Sequence, residues 1–265
     1  MMYAGHPWRR ASAGGRGAAS LLLVLTCGGC ASVPAYLSMD GDQLWEEGSA
    51  AFEAEEWDDA IQLLERLLVQ FPGYLESPQA RILVARAYSG RGEFATAVSE
   101  YERFLQVYRS HSLAPEASLG ICEAYASLAP HPQRDQEYTA RAEEACGQTW
   151  LEFRGLNVAE TADSIRIVMR NRLAEAGFQE AEFYQRFDMH NSAIMIFEDV
   201  VNTYPETEWA PRGLLGIYRS YVELGWEPEA EEASERLIAN FPDSDSVREL
   251  RSEAGASGAT AGDDR

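Results

Sequence analysis

The chain has 265 residues, 46% of them hydrophobic, so it can bury a continuous core as one large or two small domains. Its charge is lopsided: 22 basic residues, every one an arginine, stand against 43 acids, for a formal net charge of −21. That balance argues against a nucleic-acid partner, because phosphate contacts need cationic surface; it reads first as a solubilising coat and second as an attraction for basic or unfolded clients.

At the N-terminus, Arg9, Arg10 and Arg16 precede the apolar run Ala18 to Thr26, which ends at Cys27-Gly28-Gly29-Cys30. A positive flank, a short apolar core and small residues describe a secretory signal peptide over residues 1–29. The run is too short to span a bilayer permanently. With Gly28 and Gly29 before it, Cys30 is similar to the modified cysteine of a bacterial lipobox, although Cys27 stands where leucine is usual. Cys30 is therefore the expected lipidation site, with residues 30–41 as a lipidated tether. The C-x-x-C formed by Cys27 and Cys30 lacks the strand-to-helix setting of a redox pair, and the residues after Arg9-Arg10 do not support the twin-arginine route. Ala31 and Ser32 follow the cysteine, and likeness to Gram-negative lipoprotein sorting then implies the outer membrane, on its periplasmic side.

Beyond the tether the chain reads as helices. A first helix is expected over about Gln43–Glu55, with a turn at Glu56-Trp57-Asp58 and Asp58 as the next cap. From Ala60, apolar residues then recur at offsets +1, +4, +7, +8 and +11: Ile61, Leu64, Leu67, Leu68 and Phe71. Those offsets draw one stripe down an α-helix. The same stripe starts again at Ala97 and at Ala193, and in weaker form at Ala230, where Glu231 and Ser234 replace two apolar residues. Three of the four end in proline at +12: Pro72, Pro205 and Pro242. A stripe repeating every 37 residues marks a stacked helical unit that cannot bury its face alone.

Each striped helix is the second of a hairpin. Ser77-Pro78 opens the first helix of unit two, and Gly90-Arg91-Gly92 closes it. Unit three is expected from Ala114–Leu128, a His131-Pro132 loop and a helix over about Asp135–Phe153. A long helix, roughly Ala159–Phe187 with a candidate break at Gly177, opens unit four. Unit five starts after Thr207 and turns through Gly225-Trp226-Glu227-Pro228. The fold class is all-α, a solenoid of about five hairpins, divided into residues 42–155 (units one to three) and 156–245 (units four and five). Residues 246–265, poor in apolar side chains beyond Leu250, are expected to form a disordered tail. Cys122 and Cys146 lie on facing helices of unit three; two buried thiols are expected rather than a disulfide, which also needs the helices to meet at matching height.

The alanine of the second helix, the aromatic-proline ending and the small or tyrosine residues of the first helix resemble tetratricopeptide repeats. Within that class, residues 30–245 resemble the BamD family of lipoproteins of the outer-membrane β-barrel assembly machinery. The stretches Arg134 to Ala142, Leu173 to Tyr184 and Ala193 to Thr207 carry the likeness. Asp188 stands where the family has glycine at a turn, and units two and three lack their closing prolines. The resemblance implies a groove for unfolded outer-membrane proteins in units one to three. It also implies docking of the barrel-forming core subunit, through its periplasmic domains, on units four and five, and leaves room for other assembly lipoproteins.

No catalytic motif appears: no G-x-S-x-G, H-E-x-x-H or glycine-rich phosphate loop. His6, His111, His131 and His190 are scattered, so no metal, cofactor or catalytic residue is expected. The candidate partner-binding side chains are the turn aromatics Trp57, Tyr74 and Trp226, because aromatics anchor interfaces; packing within their own hairpins is the competing reading. Two functions fit this scaffold: a β-barrel assembly lipoprotein, or a periplasmic repeat adaptor for envelope or cell-division machinery.

Overall fold

The computed structural model describes residues 38–260, with side chains to Glu253. The signal peptide, Cys30, most of the tether and the last five residues lie outside the described residues. Eleven helices follow in chain order: α1 (Gly41–Glu53), α2 (Trp57–Gln70), α3 (Ser77–Gly90), α4 (Phe94–Tyr108), α5 (Ala114–Leu128), α6 (Glu137–Glu152), α7 (Asn157–Arg186), α8 (His190–Thr203), α9 (Trp209–Leu224), α10 (Glu227–Asn240) and α11 (Asp245–Thr260). Helices α1 to α10 each pack chiefly on their sequence neighbours, as in a solenoid of antiparallel hairpins, while α11 packs on α9 and α10. The pairs α1/α2 to α9/α10 are the five expected units. The alanine origins lie in the core: Ala60, Ala97 and Ala193 are fully buried and Ala230 nearly so. With them are buried Ile61, Leu64, Leu67, Phe104, Phe197, Val200 and Leu237.

Helix entry differs in detail from the expectation. Helix α1 starts with a capping box, Asp40 accepting from the Gln43 amide while the Gln43 side chain accepts from the Asp40 amide. Asp58 is not a cap. It lies in the first turn of α2, where its charge suits the helix dipole, and pairs with Arg91 at 2.8 Å. Ser77 is likewise inside α3 with its hydroxyl buried and unpaired, and Pro78 follows in the first turn. Asp188 takes the left-handed conformation with φ 57°, as its short polar side chain allows, so the turn between α7 and α8 keeps its shape without glycine.

Three expectations are corrected. Helix α7 runs unbroken for 30 residues through Gly177. A Cβ there would lie 2.8 Å from Val200 Cγ2, so the glycine serves close packing of α8 on α7 rather than a break. Residues 245–260 of the expected tail are helical: Val247 and Leu250 of α11 are buried in the last core cluster with Leu214, Ile217 and Leu237, and Arg219 of α9 pairs with Glu249 and Glu253. Two apolar residues one turn apart suffice to seat a terminal helix on an otherwise unfinished face. Finally, Cys122 and Cys146 are joined in a disulfide. The hairpin sets α5 and α6 at matching height, with their Cα atoms 4.8 Å apart, inside the range a bridge needs.

Candidate partner-binding surface

The unit-four hairpin is built around α7, which at roughly 45 Å is about twice the length of α8. Its inner stripe buries Ala174 and Ala181, and Phe178 packs against Phe197 (5.4 Å between rings) and Trp209 (5.1 Å). Two residues along a helix turn the side chain by about 200°. Phe183 and Phe187 therefore leave the stripe and point outward, 49% and 60% exposed, with their rings 4.7 Å apart. Met189 follows at 53% exposure. Three large apolar side chains thus share the C-terminal end of α7.

Two grooves flank that end. One, of about 860 Å³, lies between the α5–α6 loop, α7 and α8, and its lining includes Arg134, Leu173, Gln179, Phe183, Arg186 and Tyr204. The other, of about 590 Å³, lies between α7, α9 and α11 and is lined by Arg186, His190, Tyr218 and Val222 among others. Arg186 borders both. In a chain whose other cations are mostly paired with acids, Arg134 and Arg186 have no carboxylate partner among the described residues. Unpaired cations beside half-exposed aromatics can hold a partner carboxylate and stack on its apolar neighbours.

The groove walls are fixed by arginines on α7. Arg170 donates to Glu206 Oε1 at 2.5 Å, to the Thr203 carbonyl at 2.6 Å and to Glu143 at 3.3 Å, and lies over the Tyr204 ring. This ties α6, α7 and the end of α8 at one point. The hydrogen bond from Arg170 holds the Glu206 carboxyl below the usual carboxylate range, against the opposing effect of burial. Arg172 donates to the Ala129 carbonyl at 3.1 Å and so holds the start of the α5–α6 loop. From the other side, Gln185 donates to the Gly216 carbonyl and the Ser220 hydroxyl of α9.

A second concavity crosses units two and three. Grooves of about 520 and 420 Å³ share Glu102, Ile121, Ala145 and Gln148 of α4, α5 and α6. Arg141 lies 6.0 Å from the Tyr125 and Tyr138 rings at its rim. The aromatics singled out from the sequence divide. Trp57 packs edge-on to Phe52 and against Gly90. Tyr74 closes on Gly41 and donates to Asp42 at 2.8 Å, which pushes its pKa up to about 12. Trp226 is 45% exposed, stacked on Tyr221. Phe183, Phe187 and Met189 were not singled out. The readable signal was two aromatics four apart that fall off the helix stripe.

Across residues 38–237 the chain matches the family YfiO, described as outer membrane lipoprotein. The chain belongs to this family. Two curated relatives align over about nine-tenths of their length. The outer membrane protein assembly factor BamD of Vibrio cholerae serotype O1 is 25% identical over 229 residues, covering 80% of this chain and 92% of the relative. The BamD of Rickettsia prowazekii is 22% identical over 228 residues, covering 85% and 91%. Among solved structures, the TPR2AB domain of yeast Sti1 in complex with pHSP90 overlaps 76% of this chain and 78% of its own, at 18% identity and a TM-score of 0.43. Family membership places the chain among cell-envelope proteins, and its helical-hairpin architecture is a scaffold, non-catalytic in kind.

Proposed function

We propose that this chain is an outer-membrane lipoprotein scaffold of the β-barrel assembly machinery, helping β-barrel proteins assemble and insert. The observation that carries this reading is the alignment of its repeats, end to end, with relatives named as outer membrane protein assembly factors. Lipidation of Cys30 would anchor the scaffold at the periplasmic leaflet, where one modified terminus with several acyl chains is enough for stable anchoring. Residues 42–155 form units one to three, whose groove over α4 to α6 is the candidate cradle for unfolded outer-membrane proteins. Residues 156–245 form units four and five, which would dock periplasmic domains of the barrel-forming core subunit.

The end of α7 is the favoured docking surface, since clustered, half-exposed aromatics beside free arginines are what interface centres are made of. Trp226 is a candidate rim contact, while Trp57 and Tyr74 would contribute by shaping their turns. The test is binding of the purified chain to the isolated periplasmic domains of the core subunit. A Phe183→Ala/Phe187→Ala variant is expected to bind at least about tenfold more weakly with its melting temperature nearly unchanged. Equal binding by the variant would move the docking surface elsewhere; no binding by the parent chain would reject the assembly role.

A further inference from the structure

The two most exposed large apolar side chains among the described residues are Leu75, at 83%, and Val69, at 79%. Both flank one turn, that between α2 and α3, and the run from Val69 to Leu75 (Val-Gln-Phe-Pro-Gly-Tyr-Leu) contains no charge. Single exposed leucines are ordinary on protein surfaces. This turn stands out because the repeats provide its equivalents. Where Pro72 is followed by Gly73, Tyr74 and Leu75, Pro205 is followed by Glu206, Thr207 and Glu208, and Pro242 by Asp243, Ser244 and Asp245. The turn after unit two carries Ser110, His111 and Ser112 at these places. The turn after unit three carries Gly155, a half-exposed Leu156 and Asn157, so the first turn alone has apolar side chains at both of the last two places.

That turn is packed against the start of the folded repeats. A Cβ on Gly41 would lie 3.2 Å from the Tyr74 ring and 3.5 Å from Phe71, and the Tyr74 hydroxyl donates to Asp42. Gly41 is eleven peptide units from Cys30. Whatever path those residues take, they cannot exceed roughly 36–40 Å. No helix among the described residues is long and apolar enough to cross a membrane.

We propose that the α2–α3 turn is a second membrane contact, in which Leu75 and Val69 enter the interfacial region of the bilayer that Cys30 anchors. The inference rests on the lipidation of Cys30 in the reading above. Tyrosine and leucine suit the boundary between headgroups and acyl chains, and the anchor supplies the high local concentration that two side chains alone would not. Asp40, Asp42 and Glu76 border the turn, so a zwitterionic surface suits it better than an anionic one.

The experiment uses the full acylated chain on vesicles of phosphatidylethanolamine and phosphatidylcholine. An environment-sensitive fluorophore is placed by Leu75→Cys or, as a control, by Glu208→Cys; the native cysteines 122 and 146 are held in their disulfide. The expected result is a blue shift and loss of quenching by an aqueous quencher at position 75 alone, with both weakened when phosphatidylglycerol is added. Equal quenching at 75 and 208 on bound chain overturns the contact and leaves the anchor standing. Failure of both labelled chains to bind vesicles overturns the anchor and the contact together. Protection of position 75 only after the barrel-forming subunit is added assigns the turn to a protein partner and also overturns the proposal.

Discussion

A Cβ placed on Gly90 would stand 2.7 Å from Cε2 of Trp57, closer than side chains approach in native packing. Trp57 is itself wedged against Phe52, so a Gly90→Ala chain must displace the indole or open the contact between the first two units. Overpacking of this kind costs about 1–3 kcal/mol. Thermal unfolding followed by circular dichroism should show a lower melting temperature; an unchanged one would mean that the indole moves freely and is available to partners. The Arg170–Glu206 contact is the second residue-level test. Its carboxyl titrates below the ordinary glutamate value of 4.5, so its stabilisation is fully present above pH 4.5 and is lost as pH falls through the lower native value. The partner acid is half exposed, which limits the effect to below about 1 kcal/mol. Glu206→Gln should therefore destabilise slightly at pH 7, and the difference from the parent chain should shrink as the pH is lowered below 4.5, as read by denaturant midpoints.

Among the elements, the α5/α6 hairpin packs on α7 through a cluster of small side chains: Cys122, Cys146 and Ala162 are its buried residues, with Leu119, Ala145 and Ile165 packed around them. The disulfide supplies what apolar volume does not. Cross-linking residues 24 apart is worth about 3 kcal/mol through the unfolded state. A Cys122→Ser/Cys146→Ser chain should melt several degrees lower, and reductant under unfolding conditions should bring the parent chain to the same value. If the two chains melt together, the bridge has no structural weight. The helices themselves were legible because the stripe from each alanine is long and periodic. What was not legible had physical causes. The bridge depended on the axial register of two helices, which composition does not carry. Helix α11 has only Val247 and Leu250 to announce it, too few for a period, and becomes stable by covering the face of α9 and α10. Gly177 reads as a helix breaker in isolation and becomes a packing position only beside Val200. The outward Phe183 and Phe187 were visible as residues, but their exposure follows from their angle off the Ala174–Ala181 stripe, which only the packing of Phe178 on Phe197 and Trp209 marks as the inner face.

For the whole molecule, five hairpins and a closing helix present two separate concavities, one over α4 to α6 and one at the end of α7. They are joined through Arg170 and Arg172, which tie unit three to unit four. In the proposed function, a scaffold so divided would hold an unfolded client in one half while the other half stays docked. The formal net charge of −21 favours solubility through self-repulsion. The most direct measurement is affinity purification of the tagged, lipidated chain from detergent-solubilised envelopes of its own source. The barrel-forming core subunit of the assembly machinery is expected to co-purify in stoichiometric amount, and a Cys30→Ala chain to lose membrane retention. Recovery of stoichiometric envelope or cell-division proteins without that core subunit would contradict the proposed function.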